Sequence, residues 1–338
     1  MLVSHALSEG AVVIECVLPT IPPGGVMPDL HPQIKHVLEA MAEMNLKPIE
    51  AMTPAEARAQ MEATAQSRKA EPLPVDRVEE RTIPGPAGDI RVRLYWPSKA
   101  VPLPAIVYFH GGGHVIGSLD THDLIARNLC AGGAALVVSV DYRMGPEHRF
   151  PAAVEDSFAA LEWVHANAKS FGADPDRLGV HGDSAGANLA AVVALLARDA
   201  GGPKLRLQSL VYPVADYNLA GDSYEKYARG CGLLTREAMV WFRNHYLRRS
   251  TDADDWRASP IKAGSFAGVA PAIVVTAECD VLHDEGRAYA EALRGAGVSV
   301  EYQEYRGMIH GFFGMVPAVD DAMSAQRSVA AAFRRAFG

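Results

Sequence analysis

The sequence predicts an α/β fold, with helices flanking a mostly parallel β-sheet. Two observations support this prediction. Helical segments separate the apolar runs over about 260 residues, an alternation typical of α/β sheets. The runs themselves are short and continuous, as in strands that are buried on both faces. They are Ala105–Phe109, Ala134–Val140, Leu178–Val180, Leu210–Tyr212 and Ala272–Val275.

The composition and net charge of the chain exclude several classes of protein. The chain has 338 residues, of which 49% are hydrophobic and 21% are charged, as in ordinary globular proteins. Its formal net charge of −8 argues against binding to nucleic acid or to an anionic membrane. The four cysteines are scattered, without the spacing of a zinc site or a disulfide framework. We therefore expect a soluble, cytoplasmic protein.

The N-terminal part divides into two pieces. Residues 1–26 differ in character from the rest and are expected to be a flexible leader or to precede the true start, with a covering arm as the alternative. Residues 27–74 are expected to hold two helices. The first begins near Pro32. The second follows Thr53, whose spacing to Glu56 predicts a capping box.

Residues 75–338 are expected to form the main α/β domain, with an insertion at about 214–262. Nearly 60 residues separate the apolar run that ends at Tyr212 from the next strand, which begins near Pro271. This segment contains an aromatic helix for which Thr235 is the predicted N-cap. Because long connections without strands are uncommon in compact domains, we expect the insertion to be a cap.

The segment Gly182-Asp183-Ser184-Ala185-Gly186 matches G-x-S-x-G. It follows a buried strand and opens a helix, the setting that a nucleophile elbow requires. Small neighbours are needed there, because strand and helix approach closely at the turn, and Gly182 and Gly186 supply that room. The motif predicts Ser184 as the nucleophile. Asp183 is expected to brace the loop through a hydrogen bond.

A second motif, His110-Gly111-Gly112-Gly113, follows the buried run that ends at Phe109. Acyl transfer places negative charge on the former carbonyl oxygen, and backbone N–H groups stabilise it. We assign the amides of Gly111, Gly112 and Ala185 as oxyanion donors. A phosphate-binding loop is the alternative, but no Gly-Lys-Ser/Thr follows. His110 is expected to hold the loop by hydrogen bonds.

The remaining triad members should lie downstream of the serine, first an acid and then a histidine. Asp280 follows the strand Ala272–Val275, and His310 follows a strand-like segment, so both fall at strand ends. His310 would accept the serine proton, and Asp280 would fix the imidazole tautomer. The competing carboxylates are Glu278, Asp284 and Glu285, of which the last two fit the first turn of a helix.

Five ordered motifs together resemble the bacterial hormone-sensitive-lipase family of carboxylesterases. The resemblance implies the α/β-hydrolase fold, a mostly parallel eight-stranded sheet and a helical cap built from the N-terminal helices and the insertion. It also supports Asp280 as the triad acid. The matching stretches are His110–Gly113, Asp141–Pro151, Gly182–Gly186, Asp280–Glu285 and His310–Phe312.

One position departs from the family pattern. His114 stands where relatives usually have a bulky aromatic residue, close to the mouth of the acyl pocket. We expect it to form a pocket wall, with recognition of the leaving group as the alternative. Trp241 and Phe242 of the insertion are expected to shape the same apolar pocket.

These observations predict a serine carboxylesterase that hydrolyses short- to medium-chain acyl esters through an acyl-enzyme. An aryl-amide amidase or deacetylase with the same triad is the alternative. A small-molecule receptor on this fold is disfavoured, because such proteins typically lack the catalytic histidine and His310 is present. No metal or organic cofactor is expected. A homodimer is an expectation from the resemblance alone.

Overall fold

A single mixed β-sheet forms the centre of the molecule. The computed structural model describes residues 29–67, 70–228, 231 and 233–338, so the expectation for residues 1–26 lies outside the described residues. The strands are β1 (Arg77–Gly85), β2 (Gly88–Trp96), β3 (Leu103–Phe109), β4 (Leu136–Asp141), β5 (Ala173–Asp183), β6 (Leu205–Val211), β7 (Ala272–Cys279) and β8 (Val300–Ile309).

The eight strands are ordered β1-β2-β4-β3-β5-β6-β7-β8. β2 is antiparallel to both β1 and β4, and every other neighbouring pair is parallel. The predicted fold, a mostly parallel eight-stranded sheet, is therefore confirmed. Because the strands from β3 to β8 run in parallel, their carboxyl ends lie at one edge, where α/β sheets place their sites.

From β3 onward, each connection between consecutive strands contains at least one helix. α3 packs against α9, and α4 packs against α5. The helices are α1 (Pro32–Glu43), α2 (Pro54–Ser67), α3 (Asp123–Gly133), α4 (Ala152–Asn167), α5 (Ala185–Asp199), α6 (Asp222–Lys226), α7 (Arg236–Tyr246), α8 (His283–Gly295) and α9 (Asp320–Phe337).

Burial along the strands follows their position in the sheet. Every residue of the central strand β3 is buried, as expected for a strand covered on both faces. Strand β2 lies nearer the edge, and there Ile90, Val92 and Leu94 are buried while Arg91 is exposed. This alternation is typical of a strand with one face in water.

The two helices with a predicted N-cap residue have the expected caps. The N–H of Thr53 donates to Glu56 Oε2 (2.8 Å), and the N–H of Glu56 donates back to Thr53 Oγ1 (3.3 Å). These reciprocal bonds form the predicted capping box of α2. In the insertion, Thr235 Oγ1 accepts the N–H of Ala238 at 2.9 Å, so Thr235 is the N-cap of α7.

The N-terminal segment that contains α1 and α2 contacts the insertion and the main domain. The indole N–H of Trp241 in α7 donates to the carbonyl oxygen of Met52 at 3.1 Å. Arg58 of α2 donates to the carbonyl oxygens of Val115 (2.8 Å) and Gly145 (2.7 Å). Among the described residues, no helix is both long enough and apolar enough to cross a membrane.

Candidate active site

Ser184 lies at the sharp turn between β5 and α5. Its φ is 56° and its ψ is −120°, a conformation that is strained for any residue with a Cβ and typical of functional turns. A Cβ on Gly182 would overlap the carbonyl oxygen of Gly186, and a Cβ on Gly186 would overlap that of Phe109. The two glycines therefore supply the room that the turn requires, as predicted.

His310 connects the serine to an acid. Its Nε2 lies 3.0 Å from Ser184 Oγ, and its Nδ1 lies 2.7 Å from Asp280 Oδ2. The other carboxylate oxygen of Asp280 accepts the N–H of Leu282 at 3.0 Å. The structure thus brings together the three residues predicted to form the triad. Asp280 directly follows β7 and His310 directly follows β8, so both side chains come from the carboxyl edge of the sheet.

The competing carboxylates have other partners. Glu278 accepts the N–H of Gly307 at 2.8 Å. Asp284 and Glu285 lie in the first turn of α8, where they accept backbone N–H groups of Ser223 (2.8 Å) and Ala215 (2.7 Å) respectively. Within the described part of the chain, Asp280 is the carboxylate that hydrogen-bonds His310.

The assignment of the Gly111 amide as an oxyanion donor is wrong. The N–H of Gly111 donates to Asp183 Oδ1 at 3.2 Å, so this amide is already bound to an anionic acceptor. By contrast, the amides of Gly112 and Gly113 have no acceptor among the described residues. Their φ values, 114° and 61°, lie in the left-handed region that favours glycine. The free donors of this loop are therefore those of Gly112 and Gly113.

The predicted role of Asp183 in bracing the loop is confirmed. Besides the Gly111 amide, its Oδ1 accepts the hydroxyl of Tyr108 at 2.9 Å. Burial alone would raise the pKa of Asp183, but the nearby His122 and the hydrogen bonds hold it lower, at about 2. The side chain is therefore a buried carboxylate that links the nucleophile elbow to the glycine loop.

His110 holds the glycine loop as expected. Its Nδ1 lies 2.7 Å from the carbonyl oxygen of Gly111, and its own carbonyl oxygen accepts the hydroxyl of Tyr142 at 2.7 Å. The His110 and Tyr142 rings stack with centroids 4.5 Å apart. Burial lowers the pKa of His110 to about 3, so the imidazole is neutral at neutral pH.

The three predicted pocket residues occupy different surroundings. The Phe242 ring lies directly against Gly113, beside the free amides. Trp241 lies in α7 of the insertion, and its indole N–H donates to the carbonyl oxygen of Met52. His114 has no exposed surface. The prediction that His114 forms a wall near the mouth of the acyl pocket is therefore wrong.

Sequence reasoning missed the segment after β6. The ring of Tyr212 lies 4.5 Å from the ring of His310, centroid to centroid, and its φ of 35° is again left-handed. The N–H of Val214 approaches the carbonyl oxygen of Ser184 at 3.4 Å. The signal available was position alone, because this segment follows a parallel strand at the edge where the triad lies.

Comparisons with known proteins identify the family to which this chain belongs. The profile of a family described as alpha/beta hydrolase fold matches residues 106–314. Carboxylic ester hydrolase LipN of Mycobacterium tuberculosis is 45% identical over 264 residues, covering 76% of this chain and 70% of LipN. Ethyl acetate hydrolase of Pseudomonas putida is 35% identical over 302 residues, covering 87% of this chain and 94% of that protein.

A solved structure extends the comparison. The crystal structure of EstE1, a thermophilic carboxylesterase from a metagenomic library, superposes with a TM-score of 0.82 at 42% identity, covering 85% of this chain and 99% of EstE1. Since the family profile matches more than half of the chain, the protein belongs to the α/β-hydrolase fold family. The relatives confirm the predicted enzyme class, a carboxylic ester hydrolase, and the resemblance to bacterial carboxylesterases.

Proposed function

We propose that this protein is a serine carboxylesterase that hydrolyses short- to medium-chain acyl esters through an acyl-enzyme on Ser184. The observation that carries the proposal is the continuous hydrogen-bonded series from Ser184 Oγ to His310 (3.0 Å) and from His310 to Asp280 (2.7 Å). Such a series allows a neutral hydroxyl to act as a nucleophile at neutral pH, because the imidazole removes its proton as the new bond forms.

In the first half of the reaction, Ser184 Oγ attacks the ester carbonyl carbon while His310 Nε2 accepts the hydroxyl proton. Asp280 bonds His310 Nδ1, so the imidazole keeps its acceptor nitrogen towards the serine. The tetrahedral intermediate collapses when His310 returns the proton to the leaving alcohol. An acyl-enzyme ester on Ser184 remains.

The negative charge of the intermediate requires donors close to Ser184. The amides of Gly112 and Gly113 are free, and Ala185 is the first residue of α5, where a helix leaves its N–H groups without internal partners. We assign these three amides to the oxyanion hole. Losing one such donor typically lowers kcat by about 10²–10³.

In the second half, water replaces the alcohol. His310 removes a proton from the water as the water attacks the acyl carbon, and then returns the proton to Ser184 Oγ as the acid leaves. The residues of the chain supply every proton transfer in this cycle. The same three amides stabilise the second tetrahedral intermediate.

The expected acyl preference rests on the residues around the glycine loop. Phe242 covers Gly113 from the insertion, so a cap formed by the insertion with residues 27–74 would limit the space beside the reacting carbonyl. One relative is named an ethyl acetate hydrolase, which supports a short acyl group. The cap, the cytoplasmic location and a homodimer remain predictions.

The proposal is tested by assaying p-nitrophenyl esters of increasing acyl length, together with an aryl amide. We expect the wild type to prefer short chains, Ser184→Ala to be inactive, and Asp280→Asn to lose kcat by about 10⁴-fold with little change in KM. A control variant is Asp284→Asn, because Asp284 bonds Ser223 rather than His310. It should keep most of the wild-type kcat.

Two results would reject the proposal. Retention of activity by Ser184→Ala would show that another group is the nucleophile. Cleavage of the aryl amide without any ester hydrolysis by the wild type would favour an amidase with the same triad.

A further inference from the structure

The glycine loop is held in an unusual conformation that continues into His114. Gly112, Gly113 and His114 have consecutive left-handed φ values of 114°, 61° and 60°. The conformation is free of penalty for the two glycines, but it costs about 1–2 kcal/mol for a residue with a Cβ. His114 therefore needs other contacts to keep this backbone in place.

Those contacts come from both the side chain and the backbone of His114. Nδ1 lies 2.8 Å from the hydroxyl of Tyr217, and the imidazole stacks on Tyr246 with centroids 3.9 Å apart and an interplanar angle of 14°. The carbonyl oxygen of His114 accepts the N–H of Gly145 at 2.8 Å. The side chain is fully buried.

The side-chain partners of His114 belong to the insertion. Tyr217 follows β6, and Tyr246 is the last residue of α7. Tyr217 is itself fixed, because its N–H donates to Ser259 Oγ at 2.9 Å and its side chain is 1% exposed. A rigid hydroxyl on the insertion thus meets the residue that ends the glycine loop.

The imidazole also lies close to the nucleophile elbow. Burial and the neighbouring His110 lower the pKa of His114 to about 3, while the backbone of Ala185 acts on it in the opposite direction. The ring is therefore neutral at neutral pH. The bond between Nδ1 and the Tyr217 hydroxyl (2.8 Å) connects this side chain to the insertion.

From this geometry we infer that His114 is a positioning residue for the oxyanion hole, held by its hydrogen bond to Tyr217. The inference rests on the proposed function. His114 directly follows Gly113, and a change in its backbone would rotate the amides of Gly113 and Gly112. The insertion would thereby control the alignment of the donors as well as the shape of the pocket.

This role predicts a particular kinetic signature. Oxyanion hydrogen bonds strengthen as charge develops, so misaligned donors raise the energy of the transition state more than that of bound substrate. Loss of the Tyr217 bond should consequently lower kcat and leave KM almost unchanged. A purely structural role would lower the melting temperature without changing kcat of the folded enzyme.

The test compares His114→Phe, Tyr217→Phe and the double variant on one short-chain p-nitrophenyl ester. His114→Phe keeps a ring to stack on Tyr246, and Tyr217→Phe removes one hydroxyl. The matched control is Tyr289→Phe, because Tyr289 is fully buried in α8 and its hydroxyl has no hydrogen-bond partner in the described part of the chain. Melting temperatures and inhibition by a trifluoromethyl ketone, which forms an oxyanion adduct with the serine, are measured in parallel.

We expect each single variant to lose about tenfold in kcat with KM within about twofold, and the ketone to bind correspondingly more weakly. The double variant should lose no more than the larger single loss, because both substitutions remove one bond. Tyr289→Phe should match the wild type.

Wild-type kcat in either single variant would overturn the inference, as would a loss confined to KM or multiplicative losses in the double variant. Failure of the proposed function would look different, since the wild type itself would hydrolyse no ester.

Discussion

Asp183 Oδ1 lies 3.2 Å from the amide nitrogen of Gly111 and accepts its N–H. This bond joins the residue before the nucleophile to the first glycine of the oxyanion loop. It removes Gly111 from the set of free donors, whereas the amides of Gly112 and Gly113 have no acceptor among the described residues. One buried carboxylate therefore fixes the nucleophile and the oxyanion donors relative to each other.

Replacing Asp183 by Asn tests this link. The variant keeps the shape of the side chain and loses its charge, so we expect the free energy of unfolding to fall by about 1.5–3 kcal/mol at pH 7. The folded pKa of Asp183 is lowered from 3.8 to about 2. Its stabilising effect is therefore complete above pH 3.8 and is lost as the pH falls towards 2.

Urea unfolding of the wild type and Asp183→Asn at pH 7 and pH 3 measures this effect. The difference in unfolding free energy between the two proteins should be smaller at pH 3. An equal difference at both pH values would contradict the assigned charge.

Two helical glycines should respond oppositely to alanine. A Cβ on Gly186 would overlap the backbone of Phe109, which cannot move aside, so Gly186→Ala should destabilise the fold by about 3 kcal/mol and abolish activity. Around Gly295, at the end of α8, the space is open. Gly295→Ala should stabilise by about 0.5–1 kcal/mol. Thermal and urea unfolding of both variants measure these changes in stability. A stable, active Gly186→Ala enzyme would contradict the predicted overlap with Phe109.

The hydrogen bonds of Arg58 indicate how α2 is held against the main domain. Its guanidinium bonds Glu147 at 2.7 Å and two backbone carbonyl oxygens. Because the side chain is 31% exposed, Arg58→Met should cost no more than about 1 kcal/mol of global stability. It should nevertheless expose residues 29–67 to faster cleavage by thermolysin. Arg91→Met, which removes a surface pair with Asp141, is the control, and equal cleavage rates would contradict the prediction.

Phe242 provides a test of acyl selection. Its ring covers Gly113, so Phe242→Ala should open space beside the reacting carbonyl and shift the preferred acyl chain towards greater length. The measurement is kcat/KM across the p-nitrophenyl ester series. Phe266→Ala, which alters packing against Tyr289 on α8, should leave the chain-length optimum unchanged. The same optimum in Phe242→Ala would exclude this residue from the pocket.

The features that depend on a local pattern of residues could be predicted from the sequence. Buried strands produce continuous apolar runs, and the elbow needs glycines at fixed offsets from Ser184, so both were predictable. Strand β1 was not predicted, because it is an edge strand in which Ile83 is the buried residue and charged side chains dominate. Edge strands need little apolar surface and leave a weak signal.

Contacts between segments that are distant in the sequence could not be predicted either. Whether the Gly111 amide faces the substrate or Asp183 depends on how β3 and β5 pair, which no local pattern reveals. The burial of His114 depends in the same way on Tyr217 and Tyr246 of the insertion. Sequence reasoning placed the residue in the correct loop and assigned it the wrong surroundings.

The most direct test of the central claim is covalent labelling of the nucleophile. A p-nitrophenyl alkylphosphonate would be incubated with the wild type, Ser184→Ala and His310→Ala, and intact masses would be measured. We predict one phosphonyl adduct on Ser184 in the wild type, with release of one p-nitrophenolate, much slower labelling of His310→Ala and none of Ser184→Ala. A stoichiometric adduct on Ser184→Ala, or none on an active wild type, would contradict the assignment of Ser184 as the nucleophile.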